Sequence, residues 1–513
     1  PMFREVYVLN EMARSCRSTR ELFDRLVEKK QRAGVNRGLP DFWIMAVLTH
    51  LALVMSTDQS LDASITVLDH FPHAVDLLAT EHLISRVDGR INFFHESLFD
   101  YAFARGFVSD RRNLLDFLRA DEQPLFRRTQ VRQILTMYRQ TAQTVYLRQL
   151  SELLSSPDVR YHLKDAIMRW LGGLDQMSEA ELDVVLTLDT PKEQMPPLVR
   201  MAIHPQVAVL PILLRRGFIA RWLTSSSEGR RDDALNILRN GAKSFPAEAA
   251  HALRAWWSGD TARGKLLLDW FSWLHEMPLS PDLLGLNIDL IRSKPDGLLE
   301  RAGLYDRHSM SAWLKHDPAA AGTLLRTWFE VWYDTFPEGH PFERCEQSDL
   351  DYHWLGELQK KSSAIFLEAT IPAFIEAIRR INLTFDGHTW ADYTWLTHYD
   401  RCGFGPDCFI GLLLNAFENV VTSAPGQAIA WFEQIKSIPH PVTLYLCLEI
   451  IGSSGEAFAQ QLVSLITAEK LFDVGPNAAE WLSFVRAANT ALPFLTAHEK
   501  ERIEQRILSH WPA

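Results

Sequence analysis

Helical spacing of apolar residues, sustained over most of the chain, is the feature that most limits the fold. From Glu96 onward the sequence runs in segments of about 10 to 20 residues whose apolar positions recur every three or four residues. Pro, Gly, Ser and Asp separate these segments, and alternating strand patterns do not recur. Short helices joined by short turns favour stacked antiparallel pairs over one compact bundle. Since we find no strict repeat period, the sequence predicts a mainly all-α protein with an irregular α-solenoid.

One stretch nearer the N-terminus departs from the helical pattern. LISRVDGRINFFH, residues 83–95, alternates around Asp88-Gly89, a dipeptide that suits a type I′ turn because both central residues take positive φ. Three predicted helices precede it: Asp41 to Met55, a short one near Leu61 to Leu68, and Pro72 to His82. Three helices followed by one β-hairpin predict a small winged-helix domain.

Composition narrows the class of protein. The 513-residue chain is 47% hydrophobic and 23% charged, with a formal net charge of −11, which argues against a dedicated nucleic-acid binder. Its most apolar window, Phe42 to Met55, is too short to span a bilayer and predicts a buried helix. No signal peptide is visible. The five cysteines are scattered along the chain and make no disulfide framework: Cys16, Cys345, Cys402, Cys408 and Cys447. We therefore expect a cytoplasmic protein with no membrane partner.

These patterns divide the chain into four predicted regions. Residues 1-34 would be the end of a helical subdomain, 35-108 the winged-helix domain, 109-345 a helical repeat region and 346-513 a C-terminal helical repeat region. The repeats are closer to HEAT-like or TPR-like helix pairs than to a consensus array. Because the chain opens with Pro1 ahead of Met2 and enters amphipathic sequence at once, we expect it to be a piece of a longer protein.

A glycine-rich stretch, GDTARGKL at residues 259–266, fails the test for a phosphate-binding loop. The Lys of such a loop is followed by Ser or Thr, whose hydroxyl holds Mg²⁺, whereas this chain has Leu266. The stretch also follows a helical pattern rather than a strand. We interpret Gly259 as a helix C-cap, Asp260 or Thr261 as the next N-cap, and Lys265 as solvent-facing. No nucleophile–base pair stands out either, so this chain is not expected to be an enzyme.

The junction between hairpin and repeats, NFFHESLFDYAFARGF at residues 92–107, carries the best functional signal. His95 lies where a strand meets a helix N-terminus, and such a helix start favours negative charge. In the helix that Glu96 opens, one face is formed by Leu98, Tyr101, Ala102 and Arg105. The junction can therefore present an imidazole to an anion.

A winged helix followed by this junction resembles the His-containing motif of STAND P-loop NTPases, the NACHT and NB-ARC switch proteins. The matching residues are Phe94, His95, Glu96, Leu98, Asp100 and Ala102. The flanking stretches STRELFDRLVEKKQ and PLFRRTQVRQILTMYR also agree with bacterial members, so the likeness covers roughly residues 1 to 140. The remaining chain is similar only in kind, as a long helical sensor.

The resemblance implies a switch in which His95 senses the β-phosphate of ADP, supported by Phe94, Glu96 and Asp100. ADP or ATP with Mg²⁺, and slow ATP hydrolysis, are expected in a separate domain of the full-length protein, since this chain has no Walker A or Walker B motif and needs no cofactor itself. The implied partners are the protein's own nucleotide-binding domain, a protein ligand such as a viral protein on the repeats, and further copies in an activated homo-oligomer. Bacterial antiviral defence or signal transduction is the implied setting.

Two other functions remain open, a winged-helix DNA-binding regulator with a helical effector domain and a plain helical scaffold. A DNA reader needs Arg, Lys, Asn or Gln on its third helix, but PHAVDLLATEH carries Asp76 and Glu81 and neither Lys nor Arg. For His95 itself, the alternative to a ligand contact is a structural histidine bonded to backbone.

Two groups of residues in the second half of the chain are weaker candidates. His388, His398, Cys402 and Cys408 offer four zinc donors, but their spacing fits no common site, so we predict no metal. Acidic and aromatic residues between 349 and 400 predict a partner surface, with a packed irregular insertion as the alternative. Its aromatic residues include Trp354, Trp390 and Trp395. Most of the 16 Trp residues should lie in the core between helix layers.

Overall fold

The computed structural model describes residues 19–36, 43–71, 73–190, 194–272, 280–293, 313–336, 352–383, 409–467 and 478–510. Within these ranges the protein is mainly helical and carries one small antiparallel sheet. The predicted fold class, mainly all-α with a small winged helix and a solenoid-like helical region, is confirmed. The chain divides into two compact units, Pro1–Asn240 and Gly241–Ala513.

The first unit contains the winged helix and the first helical pairs. Its elements are α1 Thr19–Val35, α2 Trp43–Thr57, β1 Asp62–Ser64, a 3₁₀ turn Ile65–Leu68, α3 Ala74–Thr80, β2 Ile84–Val87, β3 Arg90–Phe93, α4 Glu96–Ser109, α5 Leu114–Arg119, α6 Arg127–Thr141, α7 Gln143–Ser155, α8 Tyr161–Gly172, α9 Glu179–Leu186, α10 Pro197–Ile203, a 3₁₀ turn Val207–Val209, α11 Leu210–Arg215, α12 Phe218–Leu223 and α13 Glu228–Gly241.

The sheet has three strands in the order β1-β3-β2, with Ala63 and Arg86 both opposite Ile91. The helix predicted near Leu61 to Leu68 is therefore wrong, because this stretch begins with β1 and only then forms a 3₁₀ turn. A strand of three residues is too short to show an alternating pattern in the sequence. Its backbone groups are paired only because β3, distant in sequence, lies beside it.

The hairpin and the buried helix of the winged-helix domain follow the sequence prediction. Asp88 and Gly89 have φ of 50° and 75°, as the type I′ turn requires. Helix α2 packs against α4 and buries an apolar stripe consisting of Ile44, Val47, Leu48, Leu51, Ala52 and Met55. From Trp43 onward, the apolar window is thus a core helix of this domain.

Beyond the winged helix, helices of the first unit alternate between two rows. Helices α4, α6, α8 and α10 pack each on the next, while α5, α7 and α9 do the same in a second row. A short helix buries its apolar stripe only against such neighbours, since isolated helices of this length are marginal in water. The alternation gives the solenoid-like pattern that the spacing of apolar residues predicted.

The second unit repeats this two-row arrangement. Helices α14, α16, α17, α19, α20, α22 and α24 pack successively on one another, and α15, α18, α21 and α23 pack against members of this row. The elements are α14 Pro246–Trp257, α15 Thr261–Ser272, α16 Pro281–Arg292, α17 Pro318–Thr335, α18 Tyr352–Lys361, α19 Ser363–Leu383, α20 Phe409–Ser423, α21 Pro425–Lys436, α22 Pro441–Ser453, α23 Gly455–Thr467, α24 Ala478–Ala491, a 3₁₀ turn Leu492–Phe494 and α25 Ala497–His510.

The GDTARGKL stretch is a helix–helix turn, as predicted. Helix α14 ends at Trp257, Gly259 takes a φ of 86°, and Asp260 Oδ1 accepts a hydrogen bond from the backbone N–H of Arg263 at 2.9 Å. Lys265 is exposed on α15. The glycine closes one helix and the aspartate caps the next.

The tryptophans serve mainly the core, as predicted for helix layers. Those buried among the described residues are Trp222, Trp256, Trp257, Trp270, Trp313, Trp328, Trp332, Trp354 and Trp431. Among the described helices, none is by itself long and apolar enough to cross a membrane. One bent pair, Pro197–Ile203 with Val207–Arg215, meets the length and composition requirement only as a pair, and its halves meet at 95°.

Close packing at the start of α23 gives a testable prediction. A Cβ on Gly455 would lie 2.4 Å from the backbone carbonyl of Thr490, which a side-chain shift cannot relieve. We expect Gly455→Ala to lower the free energy of unfolding by about 1 to 3 kcal/mol, measured as a lower urea midpoint.

The matched control is Gly426→Ala in α21, where a Cβ meets nothing within 4 Å. Because glycine inside a helix costs about 0.5 to 1 kcal/mol relative to alanine, this control should be neutral or stabilising. Equal midpoints for the two variants would contradict the close helix contact.

Candidate functional site

His95 lies at the junction that the sequence predicted, between the wing and a long helix. Strand β3 ends at Phe93, and the backbone N–H of Phe94 still bonds to the carbonyl of Leu83 at 3.1 Å. His95 is extended, with φ −142° and ψ 134°, and α4 begins at Glu96. The hairpin therefore delivers the imidazole to the N-terminus of α4.

The imidazole caps that helix through one of its two nitrogens. His95 Nδ1 accepts a hydrogen bond from the backbone N–H of Ser97 at 3.1 Å. With Nδ1 as acceptor, the neutral ring carries its proton on Nε2. The side chain is exposed, and Nε2 has no hydrogen-bond partner in the described part of the chain. His95 can therefore donate a hydrogen bond from Nε2 to an acceptor outside this chain.

The charge around His95 is mixed. The N-terminus of α4 favours an anion, since the free backbone N–H groups and the helix dipole both point there. Glu96, exposed in the first turn, gains from the same potential and places a negative charge beside His95. The site thus offers one oriented donor at a helix start rather than a strongly basic pocket.

Phe94 lies beside His95 on the surface. Its side chain is 44% exposed, and its ring centroid is 6.3 Å from that of His82. This end of the wing therefore presents an exposed aromatic ring next to an oriented imidazole.

Asp100, one turn into α4, is buried rather than at the surface. Its side chain is 8% exposed, and burial raises the pKa of its carboxyl to about 6, while Thr129 and Arg132 on α6 oppose the rise and Glu96 adds to it. Leu98 and Ala102 are buried as well. The residues of the motif after Glu96 therefore pack α4 into the domain and do not face a ligand.

Two polar contacts that the sequence did not mark fix the helices in and around α4: the first involves α4 itself and the second joins its neighbours α2 and α6. The first joins α1 to α4: Asp24 Oδ1 accepts hydrogen bonds from the Tyr101 hydroxyl and from Arg105 Nη1, the latter at 2.6 Å. This contact uses the face of α4 that the apolar spacing predicted. Nothing in the sequence marked Asp24 as a contact residue, because a single acidic residue on an amphipathic helix usually faces solvent.

The second contact centres on Arg127, at the start of α6. Its side chain is 3% exposed, and Nη1 donates to Ser56 Oγ at 2.6 Å and to Gln130 Oε1 at 2.8 Å. Nη2 lies 3.2 Å from Asp121 Oδ2. Arg127 therefore ties α2 of the winged helix to α6. Its burial was not predictable, since one arginine in a polar stretch is normally solvated.

Trp354 does not lie on the predicted partner surface. It is 8% exposed, and its helix, α18, packs against α17, α19 and α20 in the second unit. Trp390 and Trp395 lie outside the described residues, as do His388, His398, Cys402 and Cys408. Within the described ranges no cluster of three His, Cys, Asp or Glu side chains could hold a metal ion.

Comparisons with known proteins found no match: no protein-family model, no curated protein and no solved structure matches this chain. The motif residues from Phe94 to Ala102 and the geometry around His95 are therefore the observations on which a function can be argued.

The buried carboxyl of Asp100 predicts how stability depends on pH. Because the pKa of this carboxyl in the folded chain, about 6, exceeds its ordinary value of 3.8, folding is disfavoured once the group ionises, and stability falls as pH rises from about 4 to 6. Asp100→Asn removes this ionisation. We expect it to raise the free energy of unfolding at pH 7.5 by about 1 to 3 kcal/mol and to change it little at pH 4, measured by urea unfolding at both values.

Asp88→Asn, at the exposed tip of the hairpin, makes the same chemical change without removing a buried charge. It should shift stability by less than about 0.5 kcal/mol at either pH. If Asp100→Asn were destabilising by the same amount at both pH values, the raised pKa would be wrong.

Proposed function

We propose that this chain is the regulatory and ligand-sensing portion of a STAND-type NTPase switch. The observation that carries the proposal is His95, exposed at the start of α4, with Nδ1 bonded to Ser97 and Nε2 left without a partner in the described residues. The order of the elements, a winged helix followed by helical pairs, supports the resemblance on which this proposal rests.

In this function, His95 donates a hydrogen bond from Nε2 to the β-phosphate of ADP held by a separate nucleotide-binding domain. A phosphate oxygen is a strong acceptor, and the N-terminus of α4 adds favourable potential. The cap on Nδ1 supports this role because it fixes the ring plane and the tautomer before the nucleotide arrives. Loss of this one bond would free the nucleotide domain, which is the behaviour a switch requires.

Helix α4 also provides a route by which the repeats can influence His95. It contacts α1 through Asp24 and packs against α6, the first long helix of the repeats. A ligand that moves α6 would change the packing around α4 and hence the angle at which His95 is presented. We propose that a protein trigger, as in antiviral defence or signal transduction, acts in this way.

DNA binding has less support from the same domain. Helix α3, the helix that precedes the wing, exposes Asp76 and has neither Lys nor Arg. The exposed Arg86 of the wing lies 3.4 Å from Asp76. A phosphate backbone approaching this face would meet a carboxylate, which argues against major-groove reading.

The test begins with the coding sequence upstream of Pro1, where we expect a GxxxxGK[ST] motif within roughly 300 residues, the scale of one or two domains. In the protein that includes this motif, His95→Ala and His95→Asn should both reduce the amount of ADP that co-purifies, because neither side chain presents the imidazole Nε2–H. Both variants should also signal in the absence of a trigger. ADP retention, measured on denatured protein by chromatography, is the readout.

The pair of variants separates sensing from capping. Asparagine can cap a helix and alanine cannot, so only His95→Ala should lose about 1 kcal/mol of stability. His440 is the matched control: its Nδ1 accepts from the Val442 N–H at 3.1 Å, but it is buried. His440→Asn should leave ADP retention unchanged. Unchanged ADP in both His95 variants, or tight duplex binding in a low-salt gel shift, would overturn the proposed function.

A further inference from the structure

The starts of α6 and α8 lie side by side in the first unit and are joined by one buried side chain, that of Gln123. Its Oε1 accepts a hydrogen bond from the backbone N–H of Arg160 at 2.8 Å. Its Nε2 donates to the carbonyls of Asp158 at 2.8 Å and Leu118 at 3.1 Å. These bonds fix the loop before α6 against the loop before α8, so the side chains that the two loops expose belong to one surface.

This surface, which we call the α6–α8 surface, is formed by Leu125, Arg128, Arg160, Tyr161 and Lys164. Leu125, just before α6, is 64% exposed, and Tyr161, the first residue of α8, is 58% exposed. A single exposed apolar residue is ordinary on a protein surface. A tyrosine and a leucine held on the same surface, with arginines beside them, have the composition from which interface anchors are made.

The cations of the α6–α8 surface are not neutralised. The backbone N–H of Arg128 bonds to the carbonyl of Leu125, and that of Lys164 to the carbonyl of Arg160, so each cation lies within one turn of a helix start. None of the three cations has an ion-pair partner in the part of the chain that the structure describes. Arg160 Nη1 lies 3.5 Å from the carbonyl oxygen of Gln123. Burial lowers the pKa of Lys164, and no carboxylate offsets this effect.

Most carboxylates near this surface are already engaged. Three are paired with arginines outside the surface: Asp121 with Arg127, Asp158 with Arg119 and Asp165 with Arg169. Glu122 is exposed and has no ion-pair partner within the described ranges. One free carboxylate therefore stands beside three free cations, and the surface carries net positive charge.

The two helix starts add to this positive potential. Neither α6 nor α8 has an acidic residue in its first turn or a side-chain hydrogen bond at its N-cap. Acidic residues and polar caps are favoured at helix starts, because the free backbone N–H groups and the helix dipole make them positive. Arg128 and Lys164 occupy these first turns instead, which lowers stability. An anionic group that bound there would offset this cost.

We propose that the α6–α8 surface docks an acidic polypeptide segment, whose carboxylates bind Arg128 and Arg160 while an apolar side chain packs on Leu125 and Tyr161. An arginine can bind a carboxylate through two parallel hydrogen bonds. A polypeptide is favoured over a nucleic-acid strand, because Leu125 offers no ring for a base to stack on and the net charge of −11 repels a polyanion. This docking makes no use of His95 and goes beyond the proposed function.

A displayed library of random dodecapeptides, selected on the whole chain, supplies the probe. We expect the enriched peptides to combine Asp or Glu with a large apolar residue. In fluorescence anisotropy, the best labelled peptide should bind about tenfold more weakly to R128Q/R160Q and to Y161A, since each variant removes one of the two kinds of contact. Binding to the unaltered chain should weaken as salt is added, because these charges are exposed.

Two controls match these variants. R292Q/R326Q makes the same charge change on exposed arginines of α16 and α17, and L482A removes an apolar side chain of α24 that is 67% exposed. Both controls should leave the affinity for the peptide unchanged, because none of these residues belongs to the α6–α8 surface.

Five results would each overturn the inference. These are selection of no peptide, selection of peptides without acidic residues, unchanged binding by R128Q/R160Q or by Y161A, equal competition by a single-stranded oligothymidine, and self-association of the chain that R128Q/R160Q abolishes. His95→Asn should keep full peptide binding, so a failure here and a failure of the nucleotide switch are separate results.

Discussion

The organisation of the first unit depends on the burial of one helix, α4. From Leu98 to Phe107 all but one of its residues are buried, including the ionisable Asp100 and Tyr101. Helix α2 packs on it from within the winged helix, α1 bonds to it through Asp24, and α6 packs on it from the repeats. A helix enclosed in this way cannot tilt without repacking all its neighbours, and interiors are too densely packed for small adjustments. The position of His95 at its N-terminus follows from this constraint.

Polar groups are buried at the seam between α4, α2 and α6 despite their cost. Arg127 replaces its water shell with Ser56, Gln130 and Asp121, and Asp100 is left with a pKa raised by burial. Apolar contacts would stabilise the packing of these helices equally well. Hydrogen-bonded contacts also fix a single register, since any shift leaves a buried donor unpaired. The seam therefore holds α2, α4 and α6 in one register and resists a continuous slide of one helix along another.

His95 has a chemistry that suits an anionic oxygen, since it offers one oriented donor at a helix start. Its Nε2 has no partner among the described residues, whereas its Nδ1 is bonded to the helix. That contrast distinguishes His95 from purely structural networks such as the one in which buried Glu181 bonds to Arg139, Tyr146 and Ser178.

The sequence by itself determined the elements whose signals are local. The type I′ turn at Asp88-Gly89, the cap at Asp260, the buried apolar helix and the alternation of short amphipathic helices all follow from the conformation of a few adjacent residues. Tertiary structure decided whatever depends on a partner distant in the chain. The strand at Ala63 needs β3, and the burial of Arg127 needs Ser56. His95 and His440 show the difference, because both cap a helix through Nδ1 but only packing leaves one exposed and buries the other, lowering its pKa to about 4.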